Sequence, residues 1–201
     1  MGGIFSYDNP IMSAISKIAN CILLNMLFLI CCIPIVTAGA SFTAMYYTVE
    51  KNIKNNRGYV CSSFFTSFKE NLKKATPVWL LILGIEIIFL SDYFVVNHVR
   101  QAGNMLGNIY PLFLVMMVLV ALYAVWFFAN LARFDNSVKN LMKNSLILMI
   151  RFPGTTFLIF FALVFACVIT YLIPIAGFLM PVIAAWLFSA PIEHVFSKCM
   201  K

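Results

Sequence analysis

Charge is scarce in this sequence. Of 201 residues only 10% are charged, with seven Asp or Glu, fourteen Lys or Arg, and two His. With His98 and His194 alone, there is no H-E-x-x-H zinc helix and no His-based triad. No G-x-x-x-x-G-K-[ST] loop is present to cradle nucleotide phosphates. A glycosidase or intramembrane acid pair needs two carboxyls at one depth, whereas Glu86 and Asp92 sit on different faces of one helix. The six cysteines, Cys21, Cys31, Cys32, Cys61, Cys167 and Cys199, make no C-x-x-C pair and no zinc spacing. Most lie in apolar runs, where a thiol acts as a small hydrophobe. These absences argue against an enzyme and against any metal or cofactor.

What is present is apolar surface. Hydrophobic residues make up 63% of the chain and the mean hydropathy is +0.95. A soluble domain of this length could not hide so much apolar surface, but lipid solvates it. The net charge of +7 lies in short connections between apolar runs. That is the positive-inside pattern of a membrane protein, not a basic stripe for nucleic acid. Two targeting patterns carry less weight. Met1–Ser6 fits the myristoylation motif, which a polytopic protein does not need for anchoring. Lys17 and the run ending Ala38-Gly39-Ala40 resemble a signal peptide, but a long polar lead and an apolar continuation argue against cleavage.

Six membrane segments are expected. Ile18–Ile33 is the first, ended by Pro34. Ile35–Val49 follows at 15 residues, about 22 Å of helix, which is short against a hydrocarbon core of about 30 Å. It either spans as a short helix or re-enters, and Ala40 and Ala44 offer a small-xxx-small face for close packing. Val78–Val96, Ile109–Ala132, Thr155–Leu172 and Phe178–Ala190 complete the set. Six segments put thirteen of the fourteen Lys and Arg on the inner side and only Arg100 outside. Both termini are then cytoplasmic.

Two basic amphipathic stretches connect the segments on the inner side. In residues 60–77 one helical face carries Cys61, Phe64, Phe65, Phe68 and Leu72, and the rest carries Lys69, Lys73 and Lys74. Ser62 or Ser63 is placed to cap its start, and Pro77 to open the next helix. Two readings fit: a helix at the lipid–water boundary with its rings in the acyl layer, or a loop helix packed on the ends of the spanning helices. In the second stretch Asp135 is placed to cap a helix with Leu141 and Ser145 on one side and Lys139 and Lys143 on the other. Ser67, Lys69 and Lys73 recur as Ser137, Lys139 and Lys143, each 70 positions on. The outer turns near Pro34, Gly103 and Pro174 keep about the same spacing. The expected architecture is all-α: one membrane domain over 1–201, three like-oriented hairpins joined by two inner-surface helices, with weak repeat units 11–60, 61–135 and 136–195.

Four stretches carry a resemblance. The opening GGIFSYDNP, IPIVTAGASFTAMYY at 33–47, FFTSFKENLKKATPVW at 64–79 and ARFDNSVKNLMKNSL at 132–146 resemble the YesL family, small bacterial membrane proteins of unknown function. The match runs in order through nearly the whole chain. The resemblance implies the cytoplasmic membrane and a role near sugar uptake, because members are often encoded beside carbohydrate ABC transporters. It supplies no catalytic residues.

Glu86 is the sharpest polar candidate, because an ionised carboxylate near the middle of a span must be protonated, paired or wet. Asn25, Asn130 and Tyr123 are its candidate companions in an intramembrane polar site. Phe64, Phe68, Lys69, Lys73, Lys139 and Lys143 form a candidate surface for a partner or for lipid headgroups. The leading expectation is an accessory or regulatory membrane protein that acts through protein contacts, with carbohydrate ABC-transporter subunits as candidate partners. The alternative is a small sugar transporter or channel, with Glu86, Asn25 and Asn130 facing one cavity. Whether the chain forms a homo-oligomer is left open.

Overall fold

In the computed structural model, which describes residues 10–55, 59–102 and 105–199, the chain is 93% helical and has no strand among those residues. Its helices are α1 (Pro10–Cys32), α2 (Ala38–Thr48), α3 (Val60–Gln101), α4 (Tyr110–Arg133), α5 (Val138–Arg151), α6 (Pro153–Leu172), α7 (Pro174–Gly177) and α8 (Met180–Cys199). Short 3-10 turns at Ile35–Thr37 and Met105–Ile109 and a π-helical turn at Val49–Lys54 fill the joints. Met1–Ser6, Arg57, Gly103, Asn104 and Lys201, used in the sequence reading, lie outside the described residues.

Among the described residues five stretches are long and apolar enough to cross a membrane: Ile15–Cys32, Val60–Gln101, Gly107–Arg133, Pro153–Leu172 and Met180–Cys199. Their outward faces carry exposed Ile18 and Ile30 on α1, Ile87 and Phe94 on α3, and Phe157 and Phe161 on α6. Such a surface suits acyl chains rather than water. The architecture is an α-helical membrane bundle of about six segments, of which the second, α2, is short.

That short helix sits at the centre of the bundle. Nine of its eleven residues are buried, including Ala40, Ala44, Met45 and Tyr46. A helix buried all round needs no polar face, and α2 has none. Its hydroxyls are satisfied along its own axis: Ser41 donates to Thr37 O (3.1 Å), Thr43 to Gly39 O (3.0 Å) and Thr48 to Ala44 O (2.7 Å). Small residues let α3 come close. A Cβ on Gly39 would stand 2.6 Å from Trp79 Cβ, and the Trp79 indole donates to Ile35 O at 2.7 Å. At the other end, Ile53 shares a core with Val60 and Phe64. The α2 arm therefore runs antiparallel to the first half of α3, and α4 accompanies the second half, where Tyr93 meets Tyr110 at 6.0 Å.

The structure changes four expectations. First, α3 runs unbroken through Pro77 for 42 residues, about 63 Å, so the basic stretch is the first half of a long helix and not a separate one. Proline removes one backbone hydrogen bond, but burial of Ala75, Val78 and Ile82 in the core with Leu131 and Leu141 holds the helix together. Second, neither Ser62 nor Ser63 caps α3, whose preceding residue Tyr59 makes no side-chain cap. Third, Phe64 is fully buried in the main core and stacks on Phe68 at 6.1 Å, so it is not a surface residue. Its burial favours the packed-helix reading over rings dipped into lipid. Fourth, α5 is capped by Ser137, whose hydroxyl accepts from Asn140 N at 3.4 Å, while Asp135 is occupied elsewhere. The 70-residue echo thus pairs unlike roles, since Ser67 is buried inside α3 and Ser137 is an exposed cap.

Asp135 pairs with Lys74, tying α3 to the turn between α4 and α5. The ammonium holds the Asp135 carboxyl below its ordinary pKa through a hydrogen bond and charge attraction. A lowered folded pKa means that the tether is present above the ordinary carboxylate range and is lost as pH falls through the folded value. Protection of residues 134–140 against hydrogen exchange, corrected for the intrinsic rate, is expected to fall only as pH drops beneath the ordinary Asp range of about 3.9, and to be lower already at neutral pH in Asp135→Asn.

Candidate functional site

A cleft of about 720 Å³ opens between α2, α3 and α4 on one side and α6 and α8 on the other. It falls in the range of small-molecule pockets, roughly 300–1,000 Å³. Trp79, Ile82, Leu83 and Glu86 line it from α3 at positions i, i+3, i+4 and i+7, one face of the helix. Phe42 and Tyr46 line it from α2, and Phe128 from α4. Phe42, Trp79 and Phe128 form a three-ring cluster with centroids 5.9, 6.2 and 5.9 Å apart.

Most polar groups in this lining are already engaged. The Trp79 indole is held by Ile35 O, the Tyr46 hydroxyl donates to Glu193 Oε1 at 3.1 Å, and Thr170 Oγ1 donates to Ala166 O at 2.8 Å. Glu86 is half-buried and makes no hydrogen bond or ion pair among the described residues. Among the described residues no Lys, Arg or His lines the cleft. The site is thus one unpartnered carboxyl set in aromatic and aliphatic walls.

The other three members of the expected polar site lie elsewhere. Asn25 is fully buried on α1 and donates to Phe178 O, with its Oδ1 left without a partner among the described residues. Asn130 donates to Ser145 Oγ at 3.2 Å, fastening α5 to α4. Tyr123 donates to Met142 O at 3.4 Å and also joins α4 to α5. Glu86, Asn25 and Asn130 therefore do not share a cavity; Asn130 borders a separate cleft of about 410 Å³ with Phe134 and Arg151. Their separation follows from helix rotation, which hydropathy does not encode.

A charged cluster went unrecognised in the sequence. Arg133 Nε stands 3.6 Å from Glu193 Oε2, and the same carboxylate receives the Tyr46 hydroxyl. Beside α2, the π-helical turn carries the Glu50–Lys54 ion pair. This joins α2, α4 and α8 at the ends of their spans. Partners 60 and 147 positions apart leave no local motif. A charge pair counted across segment ends would have been the only signal.

Residues 21–93, just over a third of the chain, match the family described as "Protein of unknown function, DUF624". The match covers the second half of α1, all of α2 and most of α3, hence the Gly39–Trp79 contact and Glu86. No curated protein and no solved structure matches the chain.

The candidate surface for a partner or lipid headgroups is only partly assembled as expected. Lys69 and Lys73 on α3 and Lys139 and Lys143 on α5 are exposed and make no ion pair among the described residues. Phe68 is half-buried beside Phe64. The surface is therefore lysines over a packed aromatic base. Among the described residues no group of three or more His, Cys, Asp or Glu is placed to hold a metal ion.

Proposed function

We propose that this chain is an accessory or regulatory protein of the bacterial cytoplasmic membrane that acts through contacts at its inner face, as a member of the YesL kind working near carbohydrate uptake. The observation that supports it is the four free lysines, Lys69, Lys73, Lys139 and Lys143, on two helices fastened to the bundle by Lys74–Asp135 and Asn130–Ser145. Rigid placement matters. Charges fixed on packed helices steer and orient an acidic partner at little entropic cost, whereas charges on mobile loops must first be ordered. Carbohydrate ABC-transporter subunits are the partners that the YesL resemblance suggests.

The alternative, a sugar-conducting pore, has weaker support. A sugar exchanges many water hydrogen bonds for protein ones, and the cleft offers few free polar groups beside Glu86.

Affinity purification from native membranes in mild detergent, followed by mass spectrometry, tests the proposal. Transporter subunits are expected to accompany the native chain in near-stoichiometric amount. The double variant Lys69→Glu, Lys73→Glu is expected to recover at most about a tenth as much, as for reversal of interface charge pairs, while keeping its elution volume and melting temperature. Equal recovery with both chains would remove this surface as the interface.

A further inference from the structure

We propose that the cleft between α3, α4, α6 and α8 binds a lipophilic cation, an apolar molecule carrying one ammonium-like charge that pairs with Glu86. Two independent features of the lining point to that class. The first is Glu86, a carboxyl with no partner and no basic residue along the cleft wall among the described residues. A charge in apolar surroundings is costly until an opposite charge meets it, so a cationic guest supplies what the protein lacks. The second is the Phe42–Trp79–Phe128 cluster, whose ring faces attract cations and whose area attracts apolar substituents. Trp79 and Glu86 are two turns apart on one face of α3, about 10 Å along its axis. A guest of drug-like size reaches both. An anion is repelled by the same carboxylate, and a hydrophilic cation gains nothing from the aliphatic walls.

This inference stands apart from the inner-face reading, and its test is separable. The full chain, purified in a non-ionic detergent, is titrated with tetraphenylphosphonium and with tetraphenylborate, ions of matched shape and opposite charge. Saturable binding of about one phosphonium per chain is expected, at least about tenfold tighter than the borate. Glu86→Gln is expected to abolish that preference by weakening the phosphonium alone, at an unchanged melting temperature. Ala166→Phe, which fills the cleft, is expected to weaken both ions. Lys69→Glu, Lys73→Glu is expected to bind as the native chain does, so a failed partner interaction and a failed cation site are told apart. Equal affinity for the two ions means that the cleft accepts any apolar molecule and overturns the proposal, as does the absence of saturable phosphonium binding. Should Glu86→Gln not fold, the comparison of the two ions in the native chain still decides.

Discussion

Phe64→Ala is expected to destabilise the bundle by about 3–5 kcal/mol, whereas Phe65→Ala costs under about 1 kcal/mol. The two rings are adjacent in sequence and meet at 5.7 Å, edge to face. Phe64 is fully buried with Ile53, Val60 and Phe196, and Phe65 is 41% exposed. Truncating the first leaves a cavity among rings that cannot collapse, while truncating the second removes surface that solvent or lipid covers in any case. For a chain of this length the first loss corresponds to a fall of roughly 10 °C in melting temperature. Thermal unfolding of both variants in one detergent checks the contrast. Equal, small shifts would place Phe64 on the surface and return residues 60–77 to the lipid boundary.

The second large effect is at Gly39. A Cβ there would stand 2.6 Å from Trp79 Cβ, 3.0 Å from its Cγ and 3.1 Å from Phe128 Cε1. The nearest of these atoms is fixed to the α3 backbone, so no rotamer change relieves the contact. Replacing Gly by Ala inside a helix ordinarily gains up to about 1 kcal/mol, and here the clash reverses the sign. Gly39→Val adds two methyl groups to the same contact and is expected to cost about 3 kcal/mol, the upper part of the range for overpacking. Trp79→Ala does not rescue it, because the closest atom remains. A melting temperature for Gly39→Ala at or above the native value would mean that α2 and α3 do not approach as described.

How far the sequence carried the structure depends on what kind of information each feature needs. Apolar runs bounded by Pro34, Pro153 and Pro174 marked the ends of spans, because proline and hydropathy act locally. The inward-facing Leu141 and Ser145 and the exposed Lys139 and Lys143 followed from helical period alone. Pro77 misled for the converse reason: the local preference to begin a helix lost to packing of Ala75, Val78 and Ile82 against α4 and α5. Asp135 was a sound cap by residue type, but Lys74, 61 positions away, engages it and leaves the cap to Ser137. Glu86 was singled out on depth and composition. Its aromatic neighbours Phe42 and Phe128 come from other helices, and their meeting rests on the rotation of α2 and α4, which no single segment specifies. Tyr46 and Glu193 were missed because, in the sequence, each reads as an ordinary residue at the end of an apolar helix.

An inner-face contact surface requires α3 to carry its basic half to the inner side and its far end to the outer side. Single cysteines at positions 73, 143 and 100, in a chain freed of its six native cysteines, test this with a membrane-impermeant maleimide in right-side-out and inverted vesicles. Positions 73 and 143 are expected to label only in inverted vesicles, and position 100 only in right-side-out ones. Labelling of positions 73 and 100 from the same side would contradict a spanning α3 and would remove the inner face on which the proposed contacts rest.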